Sequence, residues 1–565
     1  MRKKIVIVGG VAGGATAAAR LRRLDEQAEI VLLERGGYIS FANCGLPYHI
    51  GGIIENRDDL LVQTAEGMSA RFNLSVRPYN EVTAIHRNKK ELTVHNHLTD
   101  ETYTEMYDVL ILSPGASPVK PPISGLQEAD NVFTLRSIPD TDQINHYIDL
   151  HQPKKAVVIG GGFIGVEMAE NLHERGIHVT LVEMQDQVMA PMDYEMAAIL
   201  HNHIRQQGVQ LILADGVSAF LESGSQIQLS SGKLLNTDLT IMAIGVKPEN
   251  QLAKEAGLTL GERGGILVNN AMQTSDPSVY AIGDAVEVTD YINRQPAMIP
   301  LAGPANKQGR LVADHICGRP VAYPGTLGSA VVKVFQLTAA STGNNEKRLK
   351  QLHIPYEALH IHPGAHAGYY PGADPISMKM LYDPVTGKIL GAQAIGSKGV
   401  EKRIDVLATA IRGRLTVEDL QELELSYAPP YSSAKDPVNM LGFAATNLRE
   451  GMVTSFQWHE VDNLNADGAF FLDVRDDDEV AQGVIPGARH IPLSQLRTRL
   501  QELPENKAVH VYCRVGVRGY IAARVLSQRG YDVKNLDGGY ATWQAVFRPE
   551  ETAVTASPMD DSGTI

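Results

Sequence analysis

Two stretches of the chain, KIVIVGGVAGGATAAARL near residue 5 and AVVIGGGFIGVEMAENL near residue 156, follow one pattern: an apolar strand, a glycine turn and a helix rich in small residues. A duplication of this kind predicts two nucleotide-binding domains, each built on a mostly parallel sheet with helices packed against it. In the first turn Gly9, Gly13 and Gly14 surround Val11 and Ala12, and Val11 stands where a middle glycine is usual. Glu34 closes the next strand-like run, EIVLLER. The N–H groups of a helix start face a pyrophosphate, and an acid at the end of the second strand accepts from a ribose hydroxyl. The second turn is complete, with Gly160, Gly162 and Gly165, followed by Glu183 at the end of VTLVE. An acid there favours a free 2′-hydroxyl, and neither Met184 nor Gln185 offers a guanidinium to a 2′-phosphate. The second site is therefore expected to take NADH rather than NADPH.

A chain of 565 residues is too long for one hydrophobic core, and strand-like runs alternate with helical ones throughout. The expected fold class is α/β. Two Rossmann-like domains are followed by an α+β domain and a C-terminal α/β unit. The boundaries read from the pattern are 1–150 and 271–324 for the two parts of the first nucleotide domain, 151–270 for the second, 325–450 and 453–548 for the other two. The polar, acidic stretch 549–565 reads as a disordered tail. A net charge of −14 argues against general nucleic-acid binding. No apolar run approaches the roughly 20 residues needed to span a bilayer, and the basic start MRKK leads into too short a run for a signal peptide. The three cysteines, Cys44, Cys317 and Cys513, are odd in number and far apart, which excludes a disulfide framework and points to the reducing cytoplasm. No metal site is expected.

A third motif separates the two nucleotide sites. TSDPSVYAIGDA ends in Asp284 and resembles the second FAD motif of two-dinucleotide flavoprotein reductases, in which the matching aspartate bonds the ribityl chain. The resemblance assigns FAD to the first turn (Gly9, Val11, Ala12, Gly14 and Glu34) and to Arg35, Asn43, Val82, Asp284, Leu301 and Ala302. NADH then goes to Gly160, Gly162, Ile164, Gly165, Glu183 and Gly245.

Cys44 lies in SFANCGLPYHI, and no second cysteine is near it in sequence. A redox thiolate here must work alone, cycling between thiolate and a mixed disulfide or another oxidised sulfur state. SFANCGLPYHI, the basic helix AAARLRRL, HAGYYPGADP and SYAPPYSSAKDP together resemble the coenzyme A disulfide reductases over about residues 1 to 450. The resemblance implies that Ser40 and Asn43 flank the substrate sulfur, and that Thr16, Arg20, Arg23 and Arg71 meet coenzyme A, with Asn306 and Lys435 as further contacts. Guanidinium forks suit its phosphates. It also implies a homodimer, with Tyr427 supplied by the partner subunit and Tyr369 or Tyr370 placed near the active cysteine; of the latter two we take Tyr370 as the catalytic candidate. A phenol there could protonate a leaving thiolate. Cys317, in DHICGRP, has no supporting motif.

From about residue 453, LDVRDDDEV, GVIPGARHIPL, VHVYCRVGVRG and LDGGYATW resemble a single rhodanese domain. Its loop, Cys513 to Arg518, turns backbone N–H groups and a helix start toward sulfur, which favours a thiolate and a persulfide anion. Arg518 adds a positive charge, and Asp473 and Arg475 are expected to organise the loop. The combined expectation is a reductase that uses NADH, FAD and Cys44 to reduce a coenzyme A persulfide or polysulfide to sulfide, with Cys513 as sulfur carrier. The alternatives are a coenzyme A disulfide reductase, an NADH oxidase or peroxidase cycling Cys44 through sulfenic acid, and a sulfur-trafficking module.

Overall fold

The computed structural model describes residues 3–547; the tail expected at 549–565 lies outside them. The described residues divide into two compact units, one of residues up to 185 with 212–328, the other of 186–211 with those from 329 onward.

In the first unit, strand β1 (Lys4–Val8), helix α1 (Ala12–Leu24) and strand β2 (Glu29–Leu33) form the first duplicated motif. β1 pairs in parallel with β2 and with Val109–Leu112, inside a five-stranded sheet that Val279–Ala281 and Ser75–Arg77 complete. Val109–Leu112 is buried throughout, as a parallel strand covered on both faces must be. The helix Ala302–Ile316 crosses α1 so closely that a Cβ on Gly309 would fall 2.4 Å from the Gly13 carbonyl oxygen. The second motif is β3 (Lys155–Ile159), α2 (Phe163–Glu174) and β4 (His178–Val182). Here β3 pairs in parallel with β4 and Leu239–Met242.

The second unit joins two sheets of different kind. One is antiparallel, in the order Ala330–Val334, Leu337–Gly343, Ile389–Gly396, Ile376–Tyr382, Glu357–Ile361. The other is parallel, in the order Ser455–Phe456, Val533–Leu536, Val509–Tyr512, Phe470–Asp473, Arg489–His490. The fold class is the one the sequence predicts: Rossmann-like sheets, an α+β domain that proves to be built on an antiparallel sheet, and a C-terminal α/β unit. Unforeseen is that residues 186–211, including the helix Tyr194–Gln206, leave the second nucleotide-binding stretch and fold with this unit.

A buried charge network holds the two sheets together. Lys379, fully buried on the strand Ile376–Tyr382, places its ammonium among Asp193, Glu195 and Glu346. Those three carboxylates have metal-like spacing, and the lysine supplies the cation. On the neighbouring strand, His360 Nε2 meets Glu195 at 2.9 Å and Nδ1 meets Asp537 at 2.6 Å, while the His360 backbone N–H donates to Asp537 at 3.0 Å. Burial opposes charge on His360, but Asp537 and Glu195 push it up to about 9. Two residues on, burial together with the His360 and Arg514 charges pushes His362 down to about 3.

These two histidines set a stability optimum. Between about pH 6.5 and 9 the folded chain holds a proton on His360 that the unfolded chain has lost, so stability falls as pH rises. Between about pH 3 and 6.5 the unfolded chain protonates His362 and the folded chain does not, so stability falls as pH drops. Urea midpoints measured from pH 5 to 9 should peak near pH 6.5, and His360→Gln should flatten the alkaline side. An alkaline limb identical in the variant would refute the assignment.

Candidate active site

Both glycine turns are built by steric exclusion. Gly9 and Gly160 have φ of +97° and +105°, where L side chains are strained. A Cβ on Gly14 would fall 1.9 Å from the Gly9 carbonyl oxygen, and one on Gly165 1.8 Å from that of Gly160. Val11 and Gly162 precede the first turns of α1 and α2. A Cβ on Gly162 meets nothing within 4 Å, so that face of the turn is open. The glycine spacing and helix start at both turns, with the open face at Gly162, fit a pyrophosphate.

Glu34 and Glu183 occupy equivalent places and do the same thing. Glu34 accepts from the N–H groups of Gly10 at 2.8 Å and Gly36 at 2.9 Å. Glu183 accepts from those of Gly161 at 2.6 Å and Gln185 at 2.7 Å. Each acid clasps its own glycine turn through both carboxylate oxygens, a role the sequence reading did not foresee. Arg35 pairs with Glu249, which Arg136 also holds. Val82 is buried in the first core, Asp284 lies in a short 3-10 turn before the strand Val286–Thr289, and Leu301 precedes the helix that begins at Ala302. Burial raises the Asp284 carboxyl. Ile164 lies in the first turn of α2, and Gly245, with φ of +112°, lies just beyond the strand Leu239–Met242.

A contrast between two glycines tests the second turn. Gly165→Ala should cost the fold of this domain. Gly162→Ala should fold normally and raise the KM for NADH by roughly tenfold or more, because the new methyl occupies the space the pyrophosphate needs. Steady-state kinetics with a thermal melt as control decides it, and an unchanged KM for Gly162→Ala would count against the assignment.

Cys44 lies in a single 3-10 turn, Asn43–Gly45, and is exposed. Ser40, just upstream, has φ of +44° and donates its N–H to the Gly10 carbonyl, which ties the cysteine segment to the first glycine turn. Partial burial and the Glu167 and Asp284 carboxylates push the Cys44 thiol up. Glu167 follows the second fingerprint on α2; it accepts from the Tyr48 hydroxyl at 3.3 Å, and burial lifts it to about 7. This acid beside the cysteine was missed, although its place directly after GGGFIGV was a usable signal.

The coenzyme A candidates fall into different settings. Arg20 is forked onto Asp314, with Nε and Nη2 at 3.0 and 2.7 Å from one oxygen. Arg22, the neighbouring arginine on the same helix, is buried and donates to four backbone carbonyls. Arg23 and Arg71 converge on the ring of Phe72, 5.9 and 5.6 Å from its centroid. Thr16 donates to Asn306, which donates in turn to the Ala302 carbonyl. Lys435 accepts from Ser433 through its carbonyl. Tyr369 and Tyr427 share a hydroxyl–hydroxyl bond of 2.6 Å, whereas Tyr370 packs edge-on against His366. Cys317 ends the helix Ala302–Ile316 and is half-buried.

Cys513 follows the strand Val509–Tyr512 and is fully buried, and its Sγ accepts from the Gly516 N–H at 3.2 Å. Gly516 has φ of +101°, which bends the loop back before the helix Val517–Ser527. Arg518 donates to Asp476 at 2.8 Å and Glu479 at 2.6 Å. Arg475 forks onto Asp473 and stacks on Tyr540.

Residues 3–309 match the model of the pyridine nucleotide-disulphide oxidoreductases, 329–437 the dimerisation domain of the same proteins, and 457–546 the rhodanese-like domain. The chain belongs to the pyridine nucleotide-disulphide oxidoreductase family. It is accordingly an FAD- and NAD(H)-dependent oxidoreductase, with a dimerisation domain and a C-terminal rhodanese domain. It is 40% identical over 444 residues to the coenzyme A disulfide reductase of Staphylococcus aureus strain JH9, covering 78% of this chain and 99% of that one. Reduced CoADR-RHD of Bacillus anthracis is 57% identical, with a TM-score of 0.96 over 98% of this chain and 99% of the other. An NAD-dependent persulfide reductase from A. fulgidus is 37% identical, with a TM-score of 0.90 over 96% and 100%. No helix among the described residues is long and apolar enough to cross a membrane.

Proposed function

We propose that this oxidoreductase reduces the sulfane sulfur of a coenzyme A persulfide, or of a related polysulfide, to sulfide. The observation that carries the reading is that one chain holds both a lone redox cysteine beside a flavin-type turn and a persulfide-type cradle around Cys513. Its likeness along nearly the whole chain to a persulfide reductase supports it. Bound FAD supplies the path by which two electrons of NADH reach sulfur.

The chain's own residues do the rest. The Cys44 thiolate attacks the inner sulfur of the persulfide, forming a mixed disulfide with coenzyme A and expelling hydrosulfide. The two electrons then split that disulfide, returning the Cys44 thiolate and free coenzyme A. Arg23 and Arg71 are the guanidiniums that Phe72 presents side by side for the coenzyme A phosphates. The Tyr369–Tyr427 hydroxyl pair is a proton source for a leaving thiolate, in a homodimer that places it there. Cys513 carries the sulfane sulfur before transfer.

The test is anaerobic NADH oxidation with coenzyme A persulfide and coenzyme A disulfide at equal concentrations. Faster turnover of the persulfide, with sulfide released in step with NADH, supports the reading. Preference for the disulfide, with no sulfide formed, overturns it in favour of thiol recycling.

A further inference from the structure

The second unit bears a half-open pocket of about 210 Å³, lined in part by the Cys513 loop. Arg514, the residue after Cys513, lines it, as does Ala541, whose N–H donates to the Arg514 carbonyl at 2.8 Å. The adjoining Tyr540 N–H donates to the Cys513 carbonyl at 2.8 Å, so this wall is fastened to the cysteine itself. The opposite walls come from outside the rhodanese domain: Asn202 and Gln206 on the helix Tyr194–Gln206, Ser377 on the antiparallel sheet, and His362 just beyond the end of its strand Glu357–Ile361.

The lining is chemically one-sided. Four amides (Asn202, Gln206, Gln482 and Gln544) join Arg514 and the hydroxyl of Ser377, and none of the described lining residues is Asp or Glu. With one guanidinium, four amides and no carboxylate in its lining, the pocket favours a negative charge. Among the described residues no carboxylate pairs with the Arg514 guanidinium, whereas Arg518 is neutralised by Asp476 and Glu479. Ser377 is held by His362 Nδ1 at 2.9 Å, and His362 Nε2 meets Thr542 at 2.9 Å. The volume suits a small anion.

We propose that this pocket binds the anionic group of the small sulfane-sulfur donor that loads Cys513, an oxyanion or a carboxylate. The inference rests on Cys513 being a sulfur carrier and adds where its donor is gripped. The Cys513 thiolate attacks the sulfane sulfur, the donor's S–S bond breaks, and its electron pair leaves with the remaining sulfite or thiolate. Cys513 is left as a persulfide, with no outside oxidant or reductant. The docked dimerisation sheet thereby gives this rhodanese domain a donor selectivity that the loop alone lacks.

Persulfide formation at Cys513 in the full-length holoenzyme, followed by mass spectrometry, tests this with thiosulfate and cysteine persulfide as separate donors. Arg514→Gln, Gln206→Glu and Gln544→Glu should each raise the half-saturating donor concentration by roughly tenfold or more, while turnover of coenzyme A persulfide at Cys44 stays unchanged. Gln206 is exposed, so its variant keeps the test valid if the buried Gln544→Glu fails to fold. An effect confined to thiosulfate identifies an oxyanion site, and one confined to cysteine persulfide a carboxylate site; either supports the proposal. Loading that proceeds with unchanged half-saturation for both donors in Gln206→Glu overturns the pocket and leaves the carrier role standing. Failure of the unaltered protein to load Cys513 from either donor overturns both.

Discussion

Replacing Cys44 by alanine is expected to lower turnover of coenzyme A persulfide by about 10³-fold or more, the scale seen when a nucleophile is removed from a covalent mechanism. Reduction of the flavin by NADH should survive, because the second glycine turn is held by Glu183 through the Gly161 N–H and Cys44 contributes no group to it. Rapid-mixing absorbance separates the two half-reactions: bleaching of the flavin persists, and reoxidation by the persulfide disappears. Cys513→Ala should leave turnover of pre-formed coenzyme A persulfide nearly unchanged and abolish loading from other donors. If Cys44→Ala turned over that persulfide at the normal rate, Cys44 would not be the attacking group. A loss of the same size in Cys513→Ala would instead place the chemistry in the rhodanese domain.

Lys379→Met should be the most destabilising single change in the second unit. The ammonium is fully buried and is the common partner of Asp193, Glu195 and Glu346. Opposed by burial, those carboxylates hold Lys379 protonated well above the ordinary lysine range. Burial likewise opposes charge on Glu346, yet Lys379 and Lys350 bring it down to about 2. Removing one partner from a buried ion network leaves uncompensated charge and costs about 3–5 kcal/mol. Thermal unfolding should show a large drop in midpoint, and the triple variant Lys379→Met with Glu195→Gln and Asp193→Asn should recover part of it. A melt of Lys379→Met indistinguishable from the parent would mean that the network contributes nothing to stability.

The duplicated turns were legible because their demand is steric and local: Gly9 and Gly14, or Gly160 and Gly165, must lack a Cβ within a span of six residues. The rhodanese domain was legible for a similar reason, its strand, loop and helix being contiguous around Cys513. What escaped the sequence is carried by contacts far apart in the chain. Glu195 sits in a stretch read as part of the NADH domain, yet it meets His360 and Lys379, 165 and 184 residues away. Arg20 is assigned to coenzyme A from its place on a basic helix, which gives no sign that Asp314, 294 residues on, holds its guanidinium. Between adjacent Tyr369 and Tyr370 only the backbone path decides which hydroxyl meets Tyr427. No periodicity or spacing rule encodes such pairings.

The grip of His360 on Asp537, with that of Asn202 on the Ala545 carbonyl, has a kinetic consequence. A domain on a loose tether finds its neighbour at an effective concentration set by linker length. This one has a fixed address on the antiparallel sheet, so lengthening the connection near residues 450–453 would leave its encounter frequency untouched. On the proposed carrier role, sulfur would reach and leave Cys513 aboard a diffusing small molecule, and the supply of that molecule, rather than any swing of the domain, would set the pace of delivery.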